Sequence, residues 1–226
     1  MTERELGVPP RALRVEGGNH KAVTEPGLPG VGPWDGEWPV GDHYDPELLR
    51  DGDRRNVIDR YRYWTLESIV ADLDLRRHPF HVAIENWQHD FNIGSIVRTA
   101  NAFAAAEVHV IGKKRWNRRG AMVTDRYQHV RHHETVEAFG AWAGEAGMVV
   151  IGIDNVDDSE PIETAVLPRE CVLVFGQEGP GLSDEAREAC ERTLSIAQFG
   201  STRSINAGAA AAIAMHAWIR THADIS

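Results

Sequence analysis

Phe175-Gly176-Gln177-Glu178-Gly179-Pro180-Gly181-Leu182 closes an apolar run that begins at Glu170, and a helical stretch led by Ser183 follows, out to Cys190. An apolar run that breaks into three glycines within six residues reads as a strand ending in a tight connection to a helix. Glycine lets backbone approach a ligand closely and take positive φ. The lone acid Glu178 sits inside the turn. The glycines fall at the wrong offsets for G-x-G-x-x-G, and no Gly-Lys-Ser/Thr follows, so the common nucleotide fingerprints are excluded. The loop either holds another ligand or is a plain strand-to-helix connection.

Outward from this loop the same texture repeats. Phe80–Ile84, Val108–Ile111, Met148–Ile153 and Leu194–Ala197 read as strands. Asn92–Ala106, Thr135–Ala146 and Asn206–Arg220 read as helices, the first with Ile93, Ile96, Val97, Ala100 and Phe103 on one face. Strand and helix alternate, so the expected fold class is α/β: a mostly parallel sheet with helices on both faces. In such sheets a ligand sits at the carboxyl ends of the strands. Two further stretches lie there. One is Asn92-Ile93-Gly94-Ser95-Ile96-Val97-Arg98; the other is Ser204-Ile205-Asn206-Ala207-Gly208, which leads into an alanine-rich run. Asn92 and Arg98 are separated by about 600° of helical rotation, so they do not share a stripe. Taken alone, Ser204 and Asn206 are good helix caps, and Arg98 is an ordinary surface arginine.

Upstream the chain differs. Residues 1–42 hold eight glycines and six prolines, which stop any regular element from growing. Residues 1–45 therefore read as an extended or flexible arm, in which Trp34 and Trp38 either dock on the body or lie partly exposed. Leu48, Leu49, Val57, Ile58, Tyr61, Trp64, Leu66, Ile69, Val70 and Leu73 recur at three- and four-residue steps. Residues 46–78 thus read as a helical lead-in, with 79–226 as the main domain.

The 226 residues carry a net charge of −10, which argues against a general nucleic-acid binder. The charge is uneven. Lys113, Lys114, Arg115, Arg118 and Arg119 are basic within seven residues around Trp116, and such a patch on an acidic protein suits selective RNA docking. Trp116 stacks on a base or packs against the body. No run approaches the roughly 20 apolar residues of a membrane span, and the charged N-terminus lacks a secretory h-region. Cys171 and Cys190, the two cysteines, form neither a disulfide framework nor a C-x-x-C site; a cytoplasmic protein is expected. His129, His132 and His133 lack acidic or cysteine partners at metal-ligand spacing. No metal is expected in the protein, and the segment reads as a solvated or RNA-facing loop.

The three stretches resemble the three motifs of the SpoU (TrmH-like) branch of the SPOUT RNA methyltransferases. N-x-G-x-x-x-R is met by Asn92, Gly94 and Arg98. G-x-E-x-x-G-L is met by Gly176, Glu178, Gly181 and Leu182. The third motif is met by Ile196, Gly200, Ser204 and Asn206. The match covers about residues 80–222. It implies S-adenosylmethionine as methyl donor, a ribose 2′-hydroxyl of tRNA or rRNA as acceptor, a homodimer, and a C-terminal deep trefoil knot, which general topology rules would disfavour. It also implies Gly176, Ile196, Gln198, Ile205 and Asn206 at the cofactor, and Arg98, Asn92, Glu178, Ser204 and Asn206 as the catalytic set. Asn92 would orient Arg98 or the ribose. Glu178 would fix loop backbone or a basic neighbour. Ser204 and Asn206 would order the loop on the substrate side. Ala197 and Gln198 replace the usual proline and methionine, Ile205 replaces leucine, and Ala207 replaces valine. Positions 197, 198 and 205 are ones where family members contact the adenine through backbone or apolar atoms. Backbone contacts survive side-chain change, so cofactor binding is still expected.

An arginine with a pKa above about 12 is a poor free base at neutral pH. Two roles for Arg98 remain open: an unusually desolvated base, reaching in from a partner subunit, or a cation that holds the RNA phosphate and steadies the forming alkoxide while water or phosphate takes the proton. The energetics favour the second. Two other classes compete with methyl transfer: a catalytically inactive RNA-binding dimer that kept the fold, and a small-molecule α/β enzyme. The second leaves the basic run at 113–119 without a purpose.

Overall fold

The computed structural model describes residues 30–88 and 92–224, so residues 1–29 of the expected arm lie outside the described residues. The chain divides into two compact units between Tyr63 and Trp64. In the first, Val31 and Asp53 exchange both backbone hydrogen bonds, at 2.8 and 2.9 Å, and α1 (Pro46–Asp51) is capped by Asp45, whose carboxylate accepts from the Glu47 and Leu48 amides. The buried Asp53 carboxylate takes a paired contact from Arg55 and the Tyr63 amide. Burial pushes its pKa up, but these donors outweigh it and hold the group below its ordinary value. Trp34 packs edge-on against Tyr63 at 5.3 Å; Trp38 stays exposed. Between positions 46 and 75 the helical lead-in consists of separate pieces. Gly52 ends α1 with φ at 92°, a single 3-10 turn covers Asp59–Tyr61, and α2 (Leu66–Asp74) starts afresh from the Thr65 cap.

The second unit is built on β1 (His81–Asn86), β2 (Val108–Gly112), β3 (Val130–His133), β4 (Val149–Ile153), β5 (Glu160–Pro161), β6 (Cys171–Phe175) and β7 (Arg192–Ser195). Their order is β3-β2-β1-β6-β4-β7-β5, and each pairing is parallel. β1 and β6 are buried along their whole length; β6 runs apolar rather than alternating, and β1 does so at Val82–Ile84 between the buried polar residues His81, Glu85 and Asn86. α3 (Asn92–Ala102) and α6 (Ala207–His222) cover one face, where Val82, Ile84, Leu173 and Phe175 meet Ile93, Ile96, Met215 and Trp218. α4 (Val136–Glu145) and α5 (Asp184–Glu188) cover the other, over Ala83, Val150, Val172 and Val174. The expectation of a mostly parallel sheet with helices on both faces is borne out.

Some boundaries move. α3 stops at Ala102 instead of 106, because Ala104 turns left-handed at φ 49°. β7 begins two residues earlier than expected, at Arg192. The segment around His129–His133, expected to be a loop, is the edge strand β3. His133 is buried there, and the His132 ring bonds the Gly112 carbonyl at 2.7 Å.

Candidate active site

A cleft of about 400 Å³ opens at the carboxyl ends of β4 and β6, within the roughly 300–1,000 Å³ of small-molecule sites. Asp154 and Asn155 form one wall, the 175–181 loop the second, and Ile196, Gln198 and residues 203–207 the third. The loop doubles back through reciprocal 3.1 Å bonds between the Gln177 and Gly181 backbones. Position 176 admits no side chain: a Cβ there would lie 2.0 Å from the Gly181 carbonyl carbon and 2.1 Å from the Leu182 nitrogen. Glycine is thus required at position 176 by close approach of backbone.

The turn is held from beneath by two carboxylates that do not stand out in the sequence. Asp154 accepts from the Leu182 amide at 2.8 Å. Glu85, buried in β1, accepts from the Ser183 amide and hydroxyl and from the Trp87 indole, at 2.7–2.8 Å. Asn155 donates to the Arg203 carbonyl at 2.9 Å, fastening the third wall to the first. The detectable signal for Asp154 and Asn155 was their place just past a predicted strand.

Three of the predicted site residues meet directly. The Asn92 amide donates to Glu178 at 2.8 Å, and Asn206 donates to the Asn92 carbonyl oxygen at 2.8 Å. The other end of Asn206 caps α6, accepting from the Gly208 and Ala209 amides. This row fixes the orientation of both asparagine amides, since each reversed amide would face donor to donor or acceptor to acceptor. Asn92 and Glu178 therefore hold one another. Ser204, Ile205, Ile196, Gln198 and Gly176 all line the cleft. Arg98 does not line it; the residue is exposed on α3.

The basic run leaves the carboxyl end of β2, the same edge of the sheet. The fully buried Asn86 pins it by donating to the Lys113 and Arg115 carbonyls at 2.6 and 2.9 Å; Asn86 escaped the sequence reading because one asparagine in an apolar run carries no pattern. Lys113, Lys114, Arg115, Arg118 and Arg119 are exposed. Trp116 packs against the core with the Arg118 guanidinium 5.5 Å from its ring centroid. Gly94, in the first stretch, allows α3 to touch this segment: a Cβ there would sit 2.7 Å from the Ala121 nitrogen. Burial pushes the Cys171 and Cys190 thiols up to about 12, so neither is a thiolate nucleophile.

A glycine-built cleft at the carboxyl edge of a parallel sheet defines a ligand-binding α/β protein. The SpoU rRNA Methylase family matches residues 79–216. The chain belongs to that family. It is 32% identical over 163 residues to an uncharacterized tRNA/rRNA methyltransferase of Mycolicibacterium vanbaalenii and 34% over 164 residues to one of Mycolicibacterium gilvum, in each case over 69% of this chain and 51% of the relative. It thus spans about half the length of these curated relatives. Among solved structures, the SpoU methyltransferase AviRb from Streptomyces viridochromogenes, in complex with the cofactor AdoMet, is 25% identical with a TM-score of 0.58, over 66% of this chain and 60% of that one. The A. aeolicus TrmH/SpoU tRNA modifying enzyme is 20% identical with a TM-score of 0.60, over 69% and 81%; at that identity the likeness speaks for the fold.

Proposed function

We propose that this chain is an S-adenosylmethionine-dependent methyltransferase acting on a ribose 2′-hydroxyl of tRNA or rRNA, working as a homodimer with a knotted C-terminal segment. The observation that carries the reading is the Glu178–Asn92–Asn206 row, which joins all three family motifs at the rim of one cleft. The cleft also fits the cofactor. Its third wall includes Gln198, whose Oε1 is buried without a hydrogen-bond partner among the described residues, an acceptor matched to an exocyclic amine such as that of adenine. The backbone crowding at Gly176 offers a flat, side-chain-free surface. The AdoMet-bound relative supports the same assignment.

When bound, S-adenosylmethionine supplies a methyl group on a sulfonium that departs as a neutral thioether. Gly176, Ile196, Gln198, Ile205 and Asn206 hold it, and the rigid row aligns the rim so that the hydroxyl approaches in line. Arg98 steadies the forming alkoxide and holds the adjoining phosphate, while water or phosphate takes the hydroxyl proton. Its place away from its own cleft supports delivery to the cleft of a second copy, and hence the dimer. Lys113, Lys114, Arg115, Arg118 and Arg119 receive the RNA backbone beside the cleft. No described helix is long and apolar enough to cross a membrane, and a cytoplasmic setting accords with an RNA substrate.

The test is methyl transfer from labelled S-adenosylmethionine to tRNA and rRNA, with the modified position mapped as a 2′-O-methyl mark. Arg98→Ala should lower turnover by about 10²–10³-fold and leave cofactor affinity, read by calorimetry, unchanged. Full activity of Arg98→Ala would remove Arg98 from the reaction. RNA binding without cofactor binding would turn the reading to the inactive dimer.

A further inference from the structure

On the other face of the sheet, three histidines on successive strands form a row. His81 Nδ1 lies 2.9 Å from His109 Nε2, and His109 Nδ1 lies 2.9 Å from His133 Nε2. The Trp142 ring packs against all three. Glu107 Oε2 is 3.8 Å from His109 Nε2, and one ligand atom from each of His81, His109 and Glu107 falls within 4.8 Å of the others. We propose that these three residues form a site for a divalent transition-metal ion of the zinc class, which ties the amino end of β1 to β2.

The donor set is two imidazoles and one carboxylate, a combination that zinc accepts with a fourth position left for water. Zinc–ligand bonds of about 2.0–2.2 Å set tetrahedral ligand atoms roughly 3.3 Å apart, so the His81–His109 and His109–Glu107 pairs, at 2.9 and 3.8 Å, need to shift by about half an ångström each, and His81 and Glu107, within 4.8 Å, close on one another by at most about 1.5 Å. The scaffold is rigid, because His81 and His109 sit on paired parallel strands in which Ala83 lies opposite His109. His109 carries the supporting contact that metal-bound histidines require. In the tautomer whose Nδ1–H donates to His133, 2.9 Å away, the Nε2 lone pair faces the site. Without a metal, a proton on His81 Nδ1 fills the gap as a hydrogen bond to His109; with metal bound, His81 carries its proton on Nε2 instead. Glu107 keeps part of its side chain exposed, which gives an ion a way in, and Arg131 holds its carboxylate at 3.1 Å. The Arg131 charge opposes a dication. The position is at the opposite end of the strands from the cleft, so the ion would brace the sheet and take no part in methyl transfer.

The experiment is zinc titration of chelator-treated full-length protein, with bound metal measured by elemental analysis, cobalt(II) absorption as a ligand-field probe, and melting temperature as the stability readout. One equivalent of zinc should bind, and the melting temperature should rise roughly 5–10 °C at 100-fold excess over Kd. Glu107→Gln, with its own metal-free melting temperature as the baseline, should weaken zinc at least tenfold, and Arg131→Gln should tighten it. His81→Gln should abolish binding if the variant folds. No bound metal and no melting shift at saturating zinc would overturn the site in favour of a neutral histidine row, and wild-type affinity in Glu107→Gln would place any bound zinc elsewhere.

Discussion

Alanine at position 176 has no room in the fold. Its Cβ would stand 2.0, 2.1 and 2.2 Å from the Gly181 carbon, the Leu182 nitrogen and the Gly181 oxygen. Carbon–carbon contacts are comfortable from about 3.5 Å, so the loop would have to retreat by roughly 1.5 Å. All three obstacles are backbone, and no rotamer change relieves them. Retreat would stretch the Gln177–Gly181 bonds and pull Leu182 off Asp154. Overpacking of this kind costs about 1–3 kcal/mol, which for a unit of this size lowers the melting temperature by roughly 2–12 °C. Because the displaced backbone is itself the cleft wall, S-adenosylmethionine affinity should fall at least tenfold, about 1.4 kcal/mol or more. Differential scanning fluorimetry and calorimetry of Gly176→Ala measure both. Wild-type melting together with wild-type affinity would refute the claim that backbone crowding shapes this wall.

Other consequences can be measured as readily. Asn92→Asp sets a carboxylate against Glu178 while keeping the bond from Asn206, so cofactor affinity should drop, and Glu178→Gln in the same chain should restore part of it; strictly additive losses in that double-mutant cycle would mean that the pair does not interact. Replacing Arg115, Arg118 and Arg119 with glutamine should reduce the slope of log affinity for RNA against log salt by about 2, at roughly 0.7 per phosphate of a single strand; an unchanged slope would move the RNA elsewhere. Asp53 is held below its ordinary value of 3.8 when folded, so the unfolded chain binds its proton first on acidification. The stability that Asp53 contributes is therefore complete above that value and lost as pH falls through and below it. Trp34 fluorescence should report the loss, and Asp53→Asn should flatten the acid dependence; an unaltered acid profile would count against the assignment.

The sheet was legible because β4, β6 and the Val82–Ile84 centre of β1 are short apolar runs, too short for a buried helix and bounded by turn residues. β3 was missed for the opposite reason. Val130-Arg131-His132-His133 lies at an edge, where two of its side chains stay exposed, and its polar composition matches a loop. The helical period across 46–75 was real at each end, but Gly52 at positive φ and the start from Thr65 outrank periodicity between them. At the site, the motifs named residues but not partners. The pairing of Asn92 with Glu178 across 86 positions depends on strand order. Asn86 and Glu85 gave no pattern at all, since their importance comes from which backbone groups the fold brings to them.

The bond between Asn92 and Asn206 spans 114 positions, and this has a consequence for timing. A chain emerging from the ribosome could complete β1, α3, β2, β6 and most of the cleft's floor while residues 203–207 were still in the exit tunnel. Until those residues arrived, Asn92 would lack one partner and the third wall would not exist. Closure of the cleft therefore waits for one of the last segments to be made, and a chain stalled before residue 203 would lack the third wall however well the rest had folded.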